Sequence, residues 1–153
     1  MLLDLRTGNG KPSMEKLDLM KMIETMRDFL VEKVDPNFIV LFGSYATGDM
    51  HDKSDVDLAF YKVSHQLSAY DVFILAQELA SLLNVEKVDL INLNEASTVF
   101  KMVILDSGKV IYAQDEKVLS DYETKALGMY FDLNVERKGI VQSIKESGRV
   151  YGY

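Results

Sequence analysis

Apolar positions along this chain alternate between two rhythms, and each change of rhythm marks an element. From Ser13 onward, Leu17, Met20, Ile23, Met26 and Leu30 recur at spacings of three and four. That is one face of a helix, which must end before Pro36. Phe38-Ile39-Val40-Leu41-Phe42 is an unbroken apolar run stopped by Gly43, the pattern of a strand buried on both faces. After a polar loop, Val56 to Tyr61 reads as a second strand. Ser68 and Asp71 form a capping pair ahead of the stripe Ala69, Val72, Phe73, Ala76, Leu79, Ala80 and Leu83, with Asn84 as its stop. Val88 to Leu93 predicts a third strand, Ser97 to Asp106 a short helix ended by Gly108, and Lys109 to Tyr112 a fourth strand. Leu119, Tyr122, Ala126, Met129, Tyr130 and Leu133 predict a last helix.

The order α-β-β-α-β-α-β-α is that of a mixed α/β (α+β) domain, a small central sheet flanked by helices. The pattern leaves the order of strands in the sheet open. The breakers Gly8, Asn9, Gly10, Lys11 and Pro12 set off residues 1–13 as an N-terminal extension, with Met14 as a natural start. Residues 14–135 then form the domain. Residues 136–153 remain as a tail or docking segment, with Tyr151 and Tyr153 as aromatic anchors and four basic residues (Arg137, Lys138, Lys145, Arg149) against Glu136 and Glu146.

Composition narrows the function classes. Of 153 residues, 48% are hydrophobic and 27% charged, the balance of a folded globular chain. The absence of cysteine excludes a disulfide framework, thiolate-bound zinc and thiol catalysis, and suits a reducing cytoplasm. Seventeen Lys and Arg against 24 Asp and Glu give a net charge of −7. A protein that grips a nucleic-acid backbone by charge would lean the other way, so no direct nucleic-acid partner is expected. No apolar run approaches the roughly 20 residues that span a bilayer, and Met1–Ser13 is no signal peptide, so no membrane partner is expected either.

The informative stretch runs from Gly43 to Asp57. Gly43 and Ser44 directly follow a buried strand, where a turn or helix start would offer free N–H groups and a hydroxyl to a phosphate. The plain alternative is an ordinary turn. Asp55 and Asp57 share one strand face at i and i+2, about 7 Å apart. Two carboxylates there repel and lose hydration unless a divalent cation relieves them, and oxygen ligands point to Mg²⁺ or Mn²⁺. Alone, the pair also fits a solvated strand face. Asp89 changes this balance, because it interrupts the apolar strand Val88 to Leu93. If that strand neighbours the one bearing Asp57, a third acid completes the site and can take a proton from an attacking hydroxyl.

Gly43-Ser44, ten residues, Asp55-x-Asp57 and a later strand acid at Asp89 resemble the motif of DNA polymerase beta-like nucleotidyltransferases. Phe42-Gly43-Ser44-Tyr45-Ala46-x-Gly48 and Ser54-Asp55-x-Asp57-Leu58 extend the likeness. Within that superfamily the chain is similar to the minimal nucleotidyltransferases, over roughly residues 25 to 135. The resemblance implies the nucleotidyltransferase fold, ATP as nucleotide donor and Mg²⁺ as cofactor. Gly43 and Ser44 would bind the nucleotide, and Asp55, Asp57 and Asp89 would be the catalytic metal ligands. It further implies a cytoplasmic antitoxin, in complex with a HEPN-domain RNase toxin, that transfers AMP to a toxin tyrosine. Thr47 departs from the pattern, since many relatives carry Arg there; Lys53 or Arg27 would have to supply the missing cation. Two other functions fit the same residues: nucleotidyl transfer to a small-molecule hydroxyl of the aminoglycoside kind, and an antitoxin that only masks its partner. His51 and His65 read as surface positions, and Met14, Met20, Met22 and Met26 as helix packing.

Overall fold

The computed structural model describes residues 14–51, 54–64 and 67–146. The proposed extension 1–13, Lys53, His65, Arg149, Tyr151 and Tyr153 lie outside the described residues. In chain order the elements are α1 (Met14–Lys33), β1 (Phe38–Phe42), α2 (Ser44–Thr47), β2 (Val56–Tyr61), α3 (Ala69–Leu83), β3 (Val88–Asn92), α4 (Thr98–Ser107), β4 (Lys109–Ala113) and α5 (Glu116–Glu146).

The punctuation residues act as their chemistry requires. Ser68 accepts from the Asp71 N–H while the Asp71 side chain accepts from the Ser68 N–H, a complete capping box at the start of α3. Asn84 ends that helix in the left-handed conformation, φ 55°. Ser97 caps α4 by accepting from the Phe100 N–H at 3.2 Å.

The four strands lie in the order β3-β2-β1-β4. β1 runs antiparallel to both β2 and β4, whereas β2 and β3 are parallel and joined by α3. Alternation then sorts side chains into two layers. On one face, Ile39, Leu41, Val56, Leu58, Phe60, Val88 and Leu90 pack against Ile23, Met26 and Leu30 of α1 and Leu79 of α3. On the other, Phe38, Val40, Phe42 and Ala59 meet Ile104 of α4 and Leu119 of α5. β1 is buried throughout because both layers cover it. Tyr122 meets Phe38 edge-on and Tyr61 at a tilt, and donates its hydroxyl to Leu93 O at 3.0 Å.

Two helices differ from expectation. The apolar spacing ended α5 at Leu133, yet the helix continues to Glu146, so the boundary drawn at 135/136 falls inside it. Of its predicted stripe, Leu119 and Ala126 are buried, Tyr122, Tyr130 and Leu133 half-buried and Met129 exposed, while Leu127 and Phe131, off the stripe, are exposed too. On α3, Phe73 belongs to the apolar stripe but is 55% exposed. Among the described residues, no helix is long and apolar enough to cross a membrane.

Candidate active site

The site is assembled by three chain segments at one end of the sheet. Phe42, the last residue of β1, pairs with Asp57 of β2, and Asp57 is in register with Asp89 of the parallel β3. The two carboxylates therefore leave adjacent strands on the same face, the one that carries Ala59 and Phe42. The neighbouring-strand condition set by the sequence is met.

Asp57 is the perturbed group. Burial raises its pKa to about 6, helped by the Asp89 charge, a hydrogen bond shared with the Asp89 side chain, and the charge of Asp55; Lys87 opposes the shift. Lys87 Nζ lies 3.3 Å from Asp89 Oδ1, an ion pair on the exposed side of the cluster. Sequence reasoning missed this lysine. Its position two residues before Asp89 is the one signal that pointed to it, since i and i+2 share a strand face.

Asp55 lies just before β2 rather than on it. Ahead of it, Ser54 N–H donates to His51 O at 2.9 Å and His51 N–H to Ser54 Oγ at 2.8 Å. Asp55 acts on Asp57 through its charge, and no three acidic or imidazole side chains among the described residues close around one point. What the chain preforms is a coupled pair with a third carboxylate nearby. This donor set fits Mg²⁺, which is commonly held by one or two carboxylates together with waters and substrate phosphates.

Gly43 connects this pair to the start of α2. Its backbone sits at φ 69°, ψ −154°, a conformation that side chains disfavour. A β-carbon there would also run into Asp57 Oδ2, so the glycine lets the turn lie directly on the carboxylate. The single helical turn then starts at Ser44, with Ala46 and Thr47 N–H groups donating back to Gly43 O. The first N–H groups of such a turn have no intrahelical acceptor. The sequence-predicted residues Gly43, Asp57 and Asp89 thus come together, with Ser44 adjoining them.

Of the two residues expected to replace the missing arginine, Lys53 lies outside the described residues and Arg27 stands apart from the site. Thr47 Oγ1 donates to Asp49 Oδ2 at 3.0 Å and so closes the turn. Arg27 lies on α1, in the layer across the sheet, with its Nε 3.2 Å from Asp28 Oδ1. It is not brought to the carboxylates. His51 is exposed, as expected. Phe100, which sequence reasoning passed over, meets Phe42 edge-on at 6.1 Å and walls the site.

The family profile described as "Polymerase beta, Nucleotidyltransferase" matches residues 24–117. The chain is 34% identical over 133 residues to the protein adenylyltransferase MntA of Shewanella oneidensis, covering 86% of this chain and 90% of that one. A protein of the same name from Aphanizomenon flos-aquae is 28% identical over 100 residues, 58% of this chain and 65% of its own. Among solved structures, a toxin–antitoxin crystal structure with AMP-PNP superposes with a TM-score of 0.71 at 31% identity, covering 80% of this chain and 98% of that one. A complex of tri-AMPylated Shewanella oneidensis HEPN toxin with MNT antitoxin gives 0.64 at 30% identity, covering 86% and 99%. With the strand pairing, the glycine turn and these likenesses in agreement, the chain belongs to the polymerase beta nucleotidyltransferase family.

Proposed function

We propose that this protein is an antitoxin-type protein adenylyltransferase of the cytoplasm. It transfers AMP from ATP to a tyrosine hydroxyl of a HEPN-domain RNase toxin and so neutralises it. The observation that carries this reading is Asp57 aligned with Asp89 beneath the Gly43 turn. The likeness to MntA proteins along most of the chain supports the acceptor class.

In this reading each residue has a distinct task. The hydroxyl and N–H of Ser44, with the neighbouring amides brought close by Gly43, bind the nucleotide's phosphates. Asp57 and Asp89, with Asp55 beside them, hold Mg²⁺, which when bound neutralises charge on the triphosphate. Asp89, the outermost of the pair, accepts the proton of the incoming tyrosine. The tyrosine oxygen then bonds to the α-phosphorus as the bond to pyrophosphate breaks. Positioning and charge neutralisation supply most of the rate, as in other phosphoryl transfers.

Incubation with labelled ATP, Mg²⁺ and the HEPN partner tests this directly. Mass spectrometry of the partner is expected to show one or more AMP units on tyrosine. A partner that is neutralised yet unmodified would replace the enzyme by a masking antitoxin. Label appearing only on a small hydroxylated molecule would replace the acceptor.

A further inference from the structure

The sheet ends in two edge strands, β3 and β4, and it is the β3 edge that adjoins the carboxylates. β3 pairs only with β2. Val56 N–H donates to Lys87 O at 3.1 Å and Leu93 N–H donates to Phe60 O at 2.9 Å, so odd-numbered positions of β3 turn their main-chain groups toward β2. These groups alternate sides with each residue. Val88 and Leu90 therefore direct their N–H and C=O groups outward.

What lies outward is a groove of about 930 Å³. Val88 to Asn92 form its floor, α3 one wall through Phe73, Ala76 and Gln77, and the start of α4 the other through Phe100. Asp89 lines it as well, so the groove is continuous with the carboxylate pair. Phe73 and Phe100 show aromatic surface into solvent, at 55% and 38% exposure. Free strand edges are normally protected by charge, proline or a covering element, because they invite pairing. This edge is instead set in an apolar trough with an acidic rim: Glu86, Asp89 and Glu95, against Lys87 as the one base among the described residues lining it.

We propose that the groove receives an extended, basic segment of the protein acceptor, which adds a strand to β3 through Val88 and Leu90 and delivers its hydroxyl to Asp89. The inference rests on the adenylyltransferase reading and says where the acceptor binds. An extended segment is required because a row of unpaired main-chain groups is satisfied by another strand and not by a helix face. The acidic rim, on a chain of net charge −7, selects a basic segment. Length argues for a polypeptide: five strand residues run about 17 Å, more than a small aminoglycoside-like acceptor would use.

Two measurements on the full chain with its HEPN partner test this. Phe73→Arg combined with Gln77→Arg places two cations on an exposed wall of the groove. The KM for the partner is expected to rise about tenfold or more, roughly 1.4 kcal/mol, while the affinity for AMP-PNP stays unchanged. Gln77→Glu alone should leave that KM unchanged or lower it. Amide exchange followed by NMR should show the Val88 and Leu90 N–H groups slowed when the partner binds. AMP transfer with an unaltered KM in the double variant, or Val88 and Leu90 exchanging equally fast in the complex, would overturn the groove and leave the enzymatic reading standing. If the unaltered chain modifies no protein at all, both fall together.

Discussion

The two faces of the sheet are built from alternate residues of the same strands, yet they do opposite things. Val56, Leu58 and Phe60 look toward α1 and α3 and are sealed completely. Asp57, between the first two, looks the other way and stays partly exposed beside Asp89. One face is a closed apolar core, while the other keeps a half-buried pair of carboxylates that Lys87 offsets only in part. The comparison teaches that stability and chemistry here are separated by a single step along β2.

The largest effect should come from the chemical side. Asp57→Asn keeps size and shape but removes one charge of the pair, and AMP transfer is expected to fall on the order of a thousandfold or more, about 4 kcal/mol of transition-state stabilisation. Steady-state transfer assays check this, with a melting curve to show that the fold persists. One residue along, Leu58→Ala should do the reverse. It opens a cavity in the sealed layer at a cost of roughly 3 kcal/mol, read from urea unfolding, with transfer per folded molecule nearly unchanged.

Gly43→Ala sharpens the boundary between the faces. Its β-carbon meets the Asp57 carboxylate and its backbone is forced into a disfavoured region, so stability should drop by roughly 2 kcal/mol and transfer should fall with it. A destabilised variant with full activity would show that the turn does not position the carboxylate.

The pH dependence of the ligand-free protein follows from Asp57. Its folded pKa, about 6, lies above the usual aspartate value of about 4. The folded state thus holds this proton more tightly than the unfolded chain does. Below about pH 4 both states are protonated and Asp57 costs nothing; as pH rises from 4 through 6 stability is lost. Allowing for partial exposure, the loss is about 1–2 kcal/mol. Thermal melts of wild type and Asp57→Asn without metal should coincide near pH 4 and separate by pH 7, the variant being more stable. Equal melting at both values would mean that the pair is already relaxed. Smallest of all, Ser44→Ala removes one hydroxyl and leaves the amides, and should reduce transfer about tenfold, close to 1.4 kcal/mol.

Strand identities were legible because burial writes itself as composition. Phe38–Phe42 and Val56–Tyr61 match their apolar runs residue for residue. Caps were legible too, since Ser68, Asp71 and Asn84 act over three or four residues of local chain. The strand order was not, because the pairing of Asp57 with Asp89 depends on which way α3 crosses the sheet, and no local pattern records that. Gly43 was readable as a close approach, but its neighbour was expected to be phosphate; the structure puts the Asp57 carboxylate there. The groove beside β3 was invisible for a related reason. Phe73 sits on an apolar stripe that promises burial, yet it flanks the sheet's β3 edge and stays 55% exposed. The continuation of α5 past Leu133 shows the limit of periodicity, because a helix can outrun the surface that its apolar face covers.

The parallel pairing of β2 with β3 also has a consequence in time. β1 and β2 meet across a connecting loop as antiparallel neighbours, whereas β3 reaches β2 only after α3 has crossed back over the sheet. Such non-local pairings form late, since the loop entropy must be met first. The two carboxylates are therefore brought together only by a non-local pairing, and against their own repulsion. A chain released before Asn92 lacks the site altogether. A finished chain gains stability from its nucleotide by mass action, about 2.7 kcal/mol at a hundred times the dissociation constant. Nucleotide occupancy thus reports an assembled site: only molecules with β3 in register beside β2 present both carboxylates to it.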